Sequence, residues 1–247
     1  MSNRLRLYTV ATNIQDRYQV KWMTGSDKKG VVFVTVPPVL EDPKVIAELS
    51  AARWLLEQKN VCGHDKAGAG LEIFVSSGAI KKLSRGGSAK TNLLRYAHFL
   101  RTRFIGAKIT VENRDSNWLD FQDEHPYSIG VSSEIELLEL CGFGPVEVTA
   151  HAIEKYTERL GRKLTRAWRE IRLLIKDPKL KEIRFRKKGL NGKTPSKNSR
   201  YFYLPTRQIV FVVTTSPNGE PRLVTTYLID EIKQSLIKVI PVCEGQA

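Results

Sequence analysis

The polar, acidic stretch NRDSNWLDFQDEHPYSIG, residues 113–130, divides this chain into two parts whose apolar patterns run in opposite orders. Pro126 interrupts it, and a stretch of this composition suits a boundary rather than an element. Before it, β-rich runs at 5–11, 18–23 and 31–36 come first, followed by a helical pattern and more strands at 71–75 and 107–112. After it, two helical patterns come first and the strands follow. One layer scheme does not serve both orders, so the sequence predicts two mixed domains, α/β in the first half and α+β in the second. They are expected at 1–122 and 146–247, with 123–145 as a linker and short helix.

Local signals refine each half. Pro37-Pro38 ends the third strand, and Asp42 can cap a helix that has Pro43 at its first position and Val45, Leu49, Ala52 and Leu56 inward. The run 83–90, LSRGGSAK, reads as a basic glycine-bearing loop. The spacing over 91–104 predicts a helix with Leu94, Ala97, Leu100 and Phe104 inward and Arg95, His98, Arg101 and Arg103 outward. Ser132 or Ser133 can cap a short helix ending at Cys141-Gly142. Thr149 caps the next helix, Gly161 terminates it, and Ile153, Tyr156 and Leu160 form its buried stripe. The following helix buries Leu164, Ala167, Trp168, Ile171, Leu174 and Ile175. Strands are expected at 181–186, 200–204, 207–215 and 221–229, the last two joined at Ser216-Pro217-Asn218-Gly219. A helix over 231–240 closes the chain.

Charge narrows the function. Forty Lys and Arg against 26 Asp and Glu leave +14 on 247 residues, which favours a polyanionic partner through counterion release. Within 161–207, sixteen Lys and Arg face only Glu170, Asp177 and Glu182. Cys62, Cys141 and Cys243 are odd in number and form no CxxC pair, which argues against a disulfide framework or zinc site and predicts a reducing compartment. No signal-peptide core and no spanning apolar run is present, so a cytoplasmic protein without cofactor or metal is expected.

Basic and aromatic residues interleave in the second half. In LKEIRFRKK, Ile183 and Phe185 alternate with Arg184 and Arg186, beside Lys187 and Lys188. The loop GLNGKTPSKNSR adds Lys193, Lys197 and Arg200, and the preceding helix adds Arg166 and Arg169. Tyr201 and Tyr203 share one strand face, where they either stack unpaired bases or pack in the sheet. Arg85, Lys90 and Arg95 supply cations in the first half. No helix-turn-helix, zinc finger or basic zipper occurs, which argues against double-stranded DNA and leaves RNA or single-stranded DNA as the partner; the resemblances below imply RNA.

Two resemblances add to this reading. Residues 4–120 resemble the ribonuclease H-like fold on LYTVAT, AELSAARWLLE and IFVSSGAIKKL. Enzymes of that family hold two divalent metals on clustered carboxylates. Here the first-strand acid falls on Val10, Glu48 matches the helix acid, Ser76 replaces the acid ending the fourth strand, and Asp115 aligns loosely with the last. The resemblance therefore implies an inactive nuclease that keeps a nucleic-acid-binding surface.

Residues 146–230 resemble toxin-type ribonucleases of the RelE, colicin and EndoU kind, on VTAHAIEKYTERL and RLVTTYLID. Such enzymes cleave without metal, by a base on the RNA 2′-hydroxyl, cations on the phosphate and an acid on the leaving oxygen. The resemblance implies His151 as base or acid, Lys155, Arg159 or Arg162 on phosphate, and Thr225, Thr226 and Tyr227 as positioning or proton-donating groups. Helical spacing groups His151, Lys155, Glu158 and Arg162, as it would on an ordinary solvated face. No second His follows in this half. The domain combination is similar to mRNA-binding proteins of nucleus-forming jumbo phages, which implies a transcript-handling role near host ribosomes. The expected function is non-catalytic RNA binding. The alternatives are a metal-independent endoribonuclease centred on His151 and a basic protein-binding adaptor.

Overall fold

The computed structural model describes residues 3–25, 28–63, 67–112, 117–185, 198–229 and 237–239. The chain divides into two compact units, 1–135 and 136–247.

In the first unit the strands β1 (Asn3–Ala11), β2 (Arg17–Thr24) and β3 (Lys29–Thr35) form an antiparallel meander, with Leu7 opposite Trp22 and Val20 opposite Val32. The helix α1 (Pro43–Glu57) then leads to β4 (Leu71–Val75), which runs parallel to β1 with Leu5 opposite Ile73. Helices α2 (Gly78–Ser84) and α3 (His98–Arg101) precede β5 (Lys108–Val111), parallel to β4. Strand β6 (Tyr127–Gly130) joins the far edge, parallel to β3. The resulting order is β5-β4-β1-β2-β3-β6, a mixed sheet with helices as expected for the first half.

Alternation decides the two faces. Leu5, Leu7 and Thr9 of β1 and Leu71, Ile73 and Val75 of β4 are buried, and the apolar ones join Ile46, Leu49, Leu55, Ile80 and Phe104 in one core. Every residue from Val45 to Ala52 is buried, small Ala47, Ser50, Ala51 and Ala52 letting the helix sink into the layer. The single inward stripe expected there is thus too narrow. Asp42 sits at the N-cap, but its side chain makes no capping bond; its carboxylate pairs with Lys90 at 2.5 Å.

Two further expectations in this unit change. The helix over 91–104 is broken into a 3-10 turn, Thr91–Leu93, and the single turn of α3. Both Leu93 and Phe99 are buried along with Ala97, Leu100 and Phe104, and that set exceeds one helical stripe. The polar run expected as boundary supplies β6. An edge strand needs backbone pairing on one side only, so it carries no apolar alternation to announce it.

The second unit opens on a hairpin, β7 (Leu137–Leu140) and β8 (Gly144–Val148), where a short helix ending at Cys141-Gly142 was expected. Its alternation of exposed Leu137 and Glu139 with buried Leu138 and Leu140 has the period of a strand. Helices α4 (Ala150–Leu160) and α5 (Leu164–Leu174) follow. Thr149 caps α4 by accepting from the Ala152 N–H at 3.2 Å, and Gly161 ends it at φ 60°, as the sequence indicates. Strands β9 (Lys181–Phe185), β10 (Ser199–Leu204), β11 (Ile209–Thr215) and β12 (Pro221–Leu228) form an antiparallel meander. Strand β8 adds in parallel beside β12, and β13 (Ile237–Val239) pairs with β9. Residues 237–239 are thus strand where the closing helix was expected; 230–236 and 240–247 lie outside the described residues. Helices α4 and α5 followed by the antiparallel meander β9–β12 are the layout read from the pattern; the opening hairpin, with β8 parallel to β12, is an addition to it.

Candidate nucleic-acid interface

The expected site residues fall in both units, and three local arrangements concern them. The first surrounds Glu48, which is 1% exposed on α1. A carboxylate buried without partners would be costly, and this one has three donors. Thr9 donates its hydroxyl at 2.7 Å, the Ser76 backbone N–H donates at 2.6 Å, and the Ser76 hydroxyl donates as well. Burial still dominates and raises the Glu48 pKa above its ordinary value. The first-strand residue facing Glu48 is Thr9 rather than Val10, which points to the opposite face and is partly exposed. Hydroxyls therefore stand beside Glu48 on β1 and at the end of β4. Asp115 lies outside the described residues.

The second arrangement lies along β12. Beyond Leu223 this strand has no described strand partner on its β8 side, so an open edge faces α4. Arg159 fills that edge. Its Nη1 donates to the Thr226 carbonyl and, at 3.1 Å, to the Thr225 hydroxyl, while its guanidinium lies 4.0 Å from the Tyr227 ring centroid. Four residues expected to act on RNA, Arg159, Thr225, Thr226 and Tyr227, are thus brought together, but around a structural contact. Thr226 is 0% exposed and cannot meet a solvent-borne strand. His151 stands apart near the start of α4, its side chain 60% exposed and 3.9 Å from Glu154. Eight residues of helix separate it from Arg159, about 12 Å along the axis.

The third is the basic run of the second unit. Helix α5 buries Ala167, Trp168 and Ile171, and this leaves Arg166, Arg169 and Arg172 exposed on its outer side. None of these three has an ion pair among the described residues, nor does exposed Arg184 on β9. Other expected contacts are already engaged. Lys155 pairs with Glu158 at 2.5 Å, and Arg162 lies 3.7 Å from Glu170. Arg200 holds Glu182 through two bonds of 2.8 and 2.5 Å and stacks over Phe143 at 4.5 Å.

Tyr203 is 9% exposed and packs with Ile183, Val210, Val212 and Ile229, with Tyr201 against the same cluster. Desolvation raises both phenol pKa values. Of the two readings of this face, packing in the sheet is the one observed. Arg186, Lys187, Lys188, Lys193 and Lys197 lie outside the described residues. In the first unit Arg85 and Arg95 are exposed, and Lys90 is held by Asp42.

One feature was not anticipated. A cleft of about 650 Å³ opens between the C-terminal part of α4, α5 and the β10–β11 connection, with Arg159, Arg162 and Arg207 among its lining. Inside it Tyr156 donates its hydroxyl to Glu170 at 2.9 Å, and burial together with that carboxylate raises the phenol pKa. Leu173 was the visible signal: it is the apolar residue of α5 that lies off the buried stripe.

No group of three or more His, Cys, Asp or Glu side chains placed to hold a metal occurs among the described residues. No described helix is long and apolar enough to cross a membrane. Among solved structures, ribonuclease H1 from the halophilic archaeon Halobacterium salinarum NRC-1 is similar at 18% identity, over 45% of this chain and 86% of that one, with a TM-score of 0.34. No family model and no curated protein matches the sequence.

Proposed function

We propose that this chain is a non-catalytic RNA-binding protein that holds a single strand mainly by its phosphates. The observation that carries the reading is the outer side of α5, where Arg166, Arg169 and Arg172 stand exposed with no ion pair among the described residues, in a chain of net charge +14. Exposed guanidiniums at helical spacing meet successive phosphates and release counterions from them. Arg184 and the flanking cations 186–188 extend the same basic segment in sequence. A messenger RNA, the partner implied by the jumbo-phage resemblance, fits a surface that reads backbone rather than bases.

The arrangement around Glu48 supports binding without metal-dependent cleavage, since Thr9 and Ser76 offer neutral hydroxyls where a two-metal site needs carboxylates. The separation of His151 from Arg159 and Tyr227 supports the absence of a metal-free site. The test titrates the protein into labelled single-stranded RNA at several salt concentrations, with and without EDTA, and then runs the RNA on a denaturing gel. A salt-sensitive shift with intact RNA is expected. Cut RNA in EDTA, lost in His151→Ala, would replace this reading by a metal-independent endoribonuclease.

A further inference from the structure

The cleft beside α5 joins two kinds of surface. Its mouth carries Leu173, 63% exposed, and Leu228, 43% exposed, with Ile209 behind them. A single exposed leucine is ordinary, but two on one rim of a cleft mark a place that favours an apolar occupant. Around the same opening stand Arg159, Arg162 and Arg207. Arg159 is committed to the β12 edge and Arg162 to Glu170, whereas exposed Arg207 has no ion pair among the described residues. The cleft therefore offers apolar walls, an unspent guanidinium, and the polar side chain of Gln208 on its lining.

Position selects the occupant. Leu173 lies four residues after Arg169 and seven after Arg166, so all three share one side of α5. A backbone following those arginines arrives at the cleft. Its volume falls within the range of sites that take a small organic ligand. An occupant that combines a largely apolar body with an adjacent anion suits this lining, and an unstacked nucleotide has both.

We propose that the cleft receives one nucleotide of the bound RNA, its base against Leu173, Ile209 and Leu228 and its phosphate on Arg207. Apolar side chains grip an extruded base in this way while polar groups read its edge. The inference rests on the RNA-binding reading, to which it adds a base-dependent contact.

The experiment compares two probes of equal length, an oligouridylate twelve-mer and the same sugar-phosphate backbone without bases, by fluorescence anisotropy at low salt. Wild-type protein is expected to bind the oligouridylate roughly tenfold more tightly, the effect of one sequestered base. Leu173→Ser, a change at an exposed position, is expected to remove that difference while leaving the abasic probe bound. Arg166→Gln with Arg169→Gln is expected to weaken both probes alike. Equal wild-type affinity for the two probes would overturn the nucleotide cleft and leave phosphate binding standing. A base preference that survives Leu173→Ser and Arg207→Gln would place the base elsewhere and also overturn it. Failure of the wild type to bind either probe would remove the RNA-binding reading itself, and the cleft proposal with it.

Discussion

Ser76 donates its backbone N–H to the carboxylate of Glu48 at 2.6 Å, joining the end of β4 to the middle of α1 inside the core. Burial raises the Glu48 pKa despite that bond, so the folded protein takes up a proton more readily than the unfolded chain. The stability this proton brings is complete below the ordinary carboxylate value of 4.5 and is lost as pH rises through the raised folded value. Glu48→Gln removes the titration and keeps the fit. Its carbonyl accepts from the Ser76 N–H, and its amide donates to the Thr9 and Ser76 hydroxyl oxygens once those rotate. Urea unfolding is expected to show Glu48→Gln more stable than wild type at neutral pH, with the gap closing below pH 4.5. A gap that does not vary with pH would mean that Glu48 does not titrate between these conditions.

Arg166→Gln with Arg169→Gln removes two exposed guanidiniums and no ion pair among the described residues. Thermal stability should stay close to wild type, because such surface changes fall within about 0.5 kcal/mol each. The slope of log affinity against log salt for single-stranded RNA should fall by about 1.4, the loss of two phosphate contacts. An unchanged slope would take α5 out of the interface.

Arg159 has a structural task that its sequence position did not announce. Arg159→Ala leaves the Thr226 carbonyl at an open edge and strips the cation from Tyr227, and should cost about 1–3 kcal/mol in chemical denaturation. Arg159→Lys should recover only part of this, since an ammonium cannot serve two acceptors and a ring in one plane. Full recovery with Lys would reduce the role of Arg159 to its charge.

His151→Ala is expected to leave both RNA affinity and RNA integrity unchanged. The side chain is solvent-facing and about two helical turns from the Arg159–Tyr227 contact, so no cation or proton donor of that group reaches it. A denaturing gel on wild type and variant in EDTA reads the outcome directly.

Much of this architecture was legible in the residues. Apolar runs specified β1 to β5 and β9 to β12, though not β6, β7, β8 or β13; Thr149 and Gly161 specified the ends of α4, and charge counting located the basic segment, because each of these depends on neighbours in sequence. Matching residues also paired Glu48 with Ser76. The first-strand residue it matched was Val10, whereas Thr9 is the one that bonds Glu48, since a shift of one residue in a strand exchanges its faces and only the sheet register settles which side meets α1.

What tertiary structure alone decided was the use of each cation and aromatic. Sequence supplies an arginine as a charge, and its availability depends on partners far along the chain. Arg159 closes an edge 66 and 67 residues away, Arg200 is held by Glu182, and Tyr203 is buried by strands on both sides, whereas Arg166 and Arg169 are exposed with no ion pair among the described residues. The cleft arises the same way. Leu173, Arg207 and Leu228 belong to three separate elements, and only their packing brings them to one opening. Helical and strand periods are local and can be read along the chain; open edges, ion pairs and cavities are non-local and exist only once the layers have closed.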